Sequence, residues 1–199
     1  VGKSTLTSNL AAALAAEGKR VGVLDADVWG YSIPRMFGLG SDRPPVSPQR
    51  KIMPLESRGV KVMSIGFFVQ EDAAVVWRGP MLHKALTQFL EDVDWGELDY
   101  LLIDLPPGTG EPQHSLVRAF ELDGAVVVTT PQDLSLLDAS RSLGLFRSAA
   151  VPILGVIENM SYLTCPHCGE RIEVFHHSER RWAVSAGDLP LLGQIPMDS

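Results

Sequence analysis

A chain of 199 residues with 45% hydrophobic content and a formal charge of −7 holds enough apolar material for one globular domain and is not a disordered chain. No run in it approaches the roughly 20 apolar residues of a membrane span, and the acidic balance argues against a broad nucleic-acid surface. Cys165 and Cys168 cannot staple a domain of this size; they point to metal or redox chemistry in a reducing compartment. The cytoplasm is expected, with an organelle, reached through a preceding targeting segment, as the alternative.

The chain opens on Val1-Gly2-Lys3-Ser4-Thr5, which reads as the second half of the phosphate-binding loop G-x-x-x-x-G-K-[ST]. In that loop backbone N–H groups cradle phosphate oxygens, the lysine reaches the β- and γ-phosphates and the hydroxyl, here Ser4, ligates Mg²⁺. The alternative is an exposed polar helix cap. The strand and glycines that should come first are absent, so the sequence is expected to be a fragment, cut at both ends, that binds ATP poorly by itself. Leu6, Leu10, Ala13 and Leu14 continue an apolar helical stripe, which Glu17-Gly18-Lys19-Arg20 ends. A buried strand, Val21 to Asp25, follows, so the order is loop, helix, strand, with phosphates at the helix N-terminus.

Beyond Asp25-Ala26-Asp27 the sequence predicts a loop through Trp29 and Pro34, then an irregular excursion or small hairpin over residues 41–59. A strand is predicted from Val60 to Ile65, and a helix from near Pro80 through Leu82, Leu86, Phe89 and Leu90. Strands are expected over Asp99–Leu105, Ala125–Thr130, Ile153–Ile157 and Leu191–Ile195, with a helix from about Ser135 to Ser148. Glu170–Phe175 also reads as a strand. Near-continuous β-branched runs separated by helical patterns predict an α/β fold, a mostly parallel sheet with helices on both faces. Ligands then belong at the carboxyl ends of the strands. Lys3, Asp25, Asp27, Asp104, Pro131 and Asn159 all fall at or just beyond such ends.

Asp104 closes a hydrophobic strand ahead of Leu105-Pro106-Pro107-Gly108-Thr109-Gly110, as a Walker B carboxylate does when it holds Mg²⁺ directly or through water. Gly108 and Gly110 would let the loop approach a γ-phosphate and move when it leaves. Asp27, more than Asp25, is expected to orient the attacking water; the alternative makes both solvated turn residues. Asn159 is expected to present its amide to an adenine edge, against the alternative of a simple turn former.

Cys165-Pro166-His167-Cys168-Gly169 aims two sulfurs at one metal. A metal centre usually takes four ligands, so the rest must come from His167, His176 or His177, from a second chain, or from residues outside this sequence. The same spacing also occurs in oxidising thioredoxin-fold enzymes. Their first cysteine sits at a helix N-terminus, however, and here a strand follows.

With these residues assembled, the chain resembles the Mrp/ApbC-type iron–sulfur cluster carriers, a branch of the MinD/ParA-like deviant Walker A ATPases. The likeness rests on V-G-K-S-T at 1–5, D-A-D-V-W-G-Y-S-I-P from Asp25 and W-R-G-P-M from Trp77. It rests further on D-W-G-E-L-D-Y-L-L-I-D-L-P-P-G-T-G from Asp94, T-P-Q-D from Thr130 and E-N-M-S-Y-L-T-C-P-H-C-G-E from Glu158. The resemblance implies one P-loop ATPase domain of MinD-like (SIMIBI) type over residues 1–199, with a metal-binding insertion at about 160–178. It also implies ATP and Mg²⁺ as cofactors, with Gly2, Lys3, Ser4 and Thr5 at the phosphates and Ser4 and Asp104 at Mg²⁺. Lys3, Asp27 and Asp104 would be catalytic, and Asn159 would read adenine. A [4Fe–4S] cluster would bridge a homodimer through Cys165 and Cys168 and pass to apo iron–sulfur proteins, with neither nucleic acid nor membrane as partner. The chain departs from the family at Glu111, usually aspartate, and at His176–Trp182, usually glycine-rich. The competing functions are a MinD/ParA-like positioning ATPase and a zinc-stabilised, ATP-regulated scaffold.

Overall fold

The computed structural model describes residues 1–27, 30–40, 42–68, 79–108, 110, 113, 114, 116, 117, 121–175 and 189–197. Trp29, Trp77, Thr109, Glu111, His176 and His177, which carry parts of the expected motifs, lie outside the described residues. The fold divides into two compact units, one of Lys3–Pro107 with Glu111–Ala119, the other of Val1–Gly2, Gly108–Gly110 and Phe120–Ser199.

In the first unit Val21–Asp25 forms β1, which is buried at every position. It takes parallel partners on both sides, β3 (Val60–Ser64) and β4 (Tyr100–Asp104), the environment that a continuous apolar run demands. Gly22 is required there, because a Cβ would come within 2.8–3.0 Å of Leu98, Trp95 and Leu101 side-chain atoms. β2 (Leu55–Ser57) pairs antiparallel with β3, giving the sheet order β2-β3-β1-β4. The excursion before β3 therefore ends in a hairpin, as the sequence suggests. The loop after β1 holds a short helix, α2 (Ile33–Met36), and β3 runs into a tight helical turn at Ile65–Phe67. α3 (Gly79–Glu91) buries Leu86 and Phe89, and Phe89 stacks on Phe68 with centroids 5.7 Å apart.

α1 (Lys3–Ala16) packs against β1 and β4, but not by the expected stripe. Its buried residues are Ser8 and Ala11, while Leu10 is 41% exposed. The polar residues of the helix lie in its first two turns, and alanine and leucine fill the rest. Polarity therefore changes along the helix more than around it, and sequence periodicity cannot select a face. Small side chains face the core, and the Ser8 hydroxyl donates to Met36 Sδ at 3.2 Å.

In the second unit β5 (Ala125–Thr129), β6 (Ile153–Glu158) and β9 (Leu191–Gln194) form a parallel sheet in the order β5-β6-β9. α4 (Asp133–Ser148) packs on β5 and β6 through Leu136, Ala139, Leu143 and Phe146, the spacing of one helix face. Between β6 and β9 stands a small antiparallel hairpin, β7 (Leu163–Thr164) and β8 (Arg171–Ile172). Only these two residues of the expected Glu170–Phe175 strand pair, because β7 offers two partners. No helix of the described residues is long and apolar enough to cross a membrane.

Candidate functional site

The parallel register places Asp25 opposite Ser64 on one side and opposite Asp104 on the other. Three strands thus end level, with their polar residues in one row at the carboxyl edge of the sheet. Asp25 is fully buried and accepts three hydrogen bonds, from the Asp27 N–H (3.1 Å), the Ile33 N–H (3.3 Å) and the Ser64 hydroxyl (3.1 Å). Burial and then the neighbouring Asp104 push its carboxyl up to about 7, against the pull of those donors. Asp25 is therefore no solvated turn residue; it ties the loop after β1 to β3. Asp27 is half-buried and accepts from the Gly30 N–H at 3.0 Å.

Asp104 is 2% exposed. Its backbone carbonyl accepts from the Ala26 N–H at 2.9 Å, and Oδ2 is the buried side-chain oxygen or nitrogen that finds no hydrogen-bond partner among the described residues. Burial raises its pKa, a hydrogen bond from Ser4 and the charge of Lys3 lower it, and Asp27 raises it again. Lys3, Ser4, Asp27 and Asp104 are thus brought within electrostatic reach of one another. An orphaned buried carboxylate oxygen costs on the order of 1–3 kcal/mol. A hard cation taking oxygen ligands from Asp104 and Ser4 would remove that cost, so the donor set fits Mg²⁺. Lys3 and Ser4 begin α1 and Thr5 follows, exposed, so the free N–H groups of a helix N-terminus lie where phosphate would sit.

Gly2, just before α1, has φ +88°. A Cβ on it would come within 2.1 Å of Asn159 Nδ2, so both backbone conformation and space call for glycine. Asn159 is held by its own N–H, which donates to Thr129 O at 2.7 Å, and its Nδ2 donates to Val1 O at 3.3 Å.

Cys165 and Cys168 lie in the turn of the β7–β8 hairpin, both as free thiols, Cys168 exposed and Cys165 half-buried. The turn closes through Cys165 N–H to Glu170 O and Gly169 N–H to Cys165 O, each 2.9 Å, with Gly169 at φ +74°. N–H groups of Cys168 and His167 point at the Cys165 sulfur and, with the Cys168 thiol, lower its pKa. That favours the thiolate, the form that binds metal. No group of three or more acidic, cysteine or histidine ligands occurs among the described residues. The hairpin is thus a two-sulfur donor.

Several supporting residues escape sequence reading. Ser64 and the Ile33 N–H, which hold Asp25, carry no motif, although Ser64 is visible as the one polar residue near the end of the predicted Val60–Ile65 strand. Gln113 is buried and donates to Pro106 O at 2.7 Å, fixing the chain two residues beyond Asp104.

A lysine and serine opening a helix beside a strand-end aspartate, on a parallel sheet, define a phosphate-loop nucleotide-binding protein. The chain belongs to the ParA family described as the NUBPL iron-transfer P-loop NTPase, whose family model matches residues 1–199. It is 51% identical over 198 residues to an iron-sulfur cluster carrier protein of Deinococcus radiodurans, covering 100% of this chain and 56% of that protein. It is 49% identical over 199 residues to the carrier of Aquifex aeolicus, covering 100% and 55%. The chain spans about half the length of these curated relatives. Among solved structures, a nucleotide-binding protein from Archaeoglobus fulgidus in complex with ADP superposes with a TM-score of 0.84 at 39% identity, covering 100% of this chain and 77% of that one. The septum site-determining protein MinD of Pyrococcus horikoshii, with Mg-ADP, superposes with a TM-score of 0.69 at 22% identity, covering 99% and 76%. This second likeness shows the MinD-type fold.

Proposed function

We propose that the chain is the P-loop ATPase domain of an iron–sulfur cluster carrier. It would bind a [4Fe–4S] cluster as cargo between two copies of itself and hand it to apo-proteins in the cytoplasm, driven by ATP binding and hydrolysis. The observation that carries this reading is the cysteine turn, with N–H groups aimed at a sulfur, in a chain that also presents Lys3, Ser4 and Asp104 together. Two sulfurs per chain supply half a tetrathiolate set, and a two-fold axis would supply the rest.

In the nucleotide step the Lys3 ammonium and the first N–H groups of α1, with Gly2 and Thr5 beside them, bind the phosphates. Ser4 and Asp104 would hold Mg²⁺, which would supply positive charge beside the phosphates. Asp27 orients the attacking water, and Asn159 contacts the adenine. Hydrolysis here is chiefly positioning and charge stabilisation, which these side chains can supply.

The test is anaerobic reconstitution of the full-length protein with iron and sulfide, followed by metal and sulfide analysis and sizing. A chromophore that disappears in Cys165→Ala and Cys168→Ala, on a dimer, is expected. A chromophore that survives both substitutions would sink the proposal. Zinc in place of iron in protein purified without oxygen would favour the scaffold reading.

A further inference from the structure

The hairpin that carries the cysteines has only two paired residues on each strand, too few to fix its own orientation. Its base, however, joins a continuous set of polar contacts. Glu158, the last residue of β6, is 7% exposed, and its Oε1 accepts from the Ser161 hydroxyl and from Gln194 Nε2 (2.9 Å). Gln194, the last residue of β9, turns its Oε1 to Arg171, whose Nη2 donates at 3.2 Å. Arg171 opens β8, and its guanidinium carbon lies 4.1 Å from the centroid of the Tyr162 ring, just before β7. Backbone bonds brace the same junction, from the Ser161 N–H to Ile195 O at 2.9 Å and from the Met197 N–H to Tyr162 O at 2.6 Å.

We infer that Glu158, Gln194, Arg171 and Tyr162 are positioning residues, a tether that fixes the Cys165–Cys168 turn on the ends of β6 and β9 and thereby sets how firmly it holds metal. The inference rests on the metal-binding reading of the cysteines. Gln194 can serve both neighbours only because its amide has a donor end for the Glu158 carboxylate and an acceptor end for the guanidinium. Arg171 is the natural terminus, since its planar group can donate along its edge to Gln194 while its face rests on Tyr162. None of the four touches a sulfur. Their action is on the orientation of the turn, as outer-shell partners act on metal ligands elsewhere.

The test uses the full-length protein with Co²⁺ as probe, read by its thiolate charge-transfer absorption and by the rate of loss to a chelator. Hydrogen exchange at the Cys165 and Gly169 amides is read in the metal-free protein. Arg171→Ala and Gln194→Ala should each speed metal loss by about tenfold and raise exchange at both amides. The double variant should be no worse than either single one, because both break the same path. Tyr162→Phe keeps the ring and should behave as the parent protein, whereas Tyr162→Ala should resemble Arg171→Ala. Unchanged exchange and release in the single variants overturn the tether, as do additive effects in the double one. Faster exchange in a protein that takes up no Co²⁺ keeps the tether but overturns the metal reading on which its role rests.

Discussion

The strand ends at Asp25 and Asp104 and the turn at Cys165 treat negative charge in opposite ways. At the strand ends two carboxyls are buried level with each other, and burial pushes both pKa values up. One of their oxygens lacks any partner among the described residues. At the turn the thiols stand at the surface, and backbone N–H groups lower the Cys165 pKa before any metal arrives. The first arrangement is uncomfortable without a cation and so suits one that is held with a nucleotide. The second is stable without metal and open to solvent, which suits a cargo that must be taken up and released.

If the two regions are chemically separate, substitutions should divide them. The largest effect is expected from Lys3→Ala, which removes the cation at the phosphates and should lower the ATP hydrolysis rate by about 10²–10³-fold. Metal uptake at the cysteines should persist in that variant. Cys165→Ala should do the reverse, losing thiolate-bound metal by absorption while single-turnover hydrolysis keeps the parent rate. Loss of both functions in either variant would break the separation.

Smaller effects should sharpen it. Gly2→Ala forces a side chain into φ +88° and against Asn159 Nδ2, and should cost about 1–3 kcal/mol of stability in urea unfolding. Ser64→Ala removes the hydroxyl that donates to buried Asp25 and should cost about 1–2 kcal/mol. Neither should move the Co²⁺ absorption of the cysteine turn.

What could be read from the sequence divides along the same line. The order and type of the strands, the Asp104 strand end and the cysteine turn are local patterns, and local patterns survive in sequence. The buried face of α1 was not legible, because Leu6, Leu10, Ala11 and Leu14 are all apolar and only packing selects Ala11 and Ser8. The role of Asp25 was missed for a related reason. Its neighbours Ser64 and Asp104 are distant in sequence and only the register of three parallel strands brings them level, while the Ile33 N–H reaches it only through the fold of the loop into α2. Gln194 and Arg171 likewise meet only through the end of β9.

The last expected effect is one of pH, and its sign follows from the direction of the two carboxyl shifts. An unfolded aspartate titrates near ~3.9, whereas Asp25 in the fold titrates at about 7 and Asp104 is also raised. The folded state therefore binds more protons than the unfolded one across this interval, and stability falls where that is so as pH rises. The contribution of Asp25 is full below about pH 4 and is lost as pH climbs through about 7, and that of Asp104 falls in the same direction. Asp104→Asn removes the charge that ranks second among the causes of the Asp25 shift, so its slope should be shallower. Ser64→Ala removes a donor that favours the Asp25 carboxylate and should carry the fall to higher pH. Urea unfolding free energies in magnesium-free buffer, parent minus Asp104→Asn, provide the measurement. A difference that rises with pH over that window would show that these carboxyls are not strained by burial, and the contrast with the cysteine turn would fail.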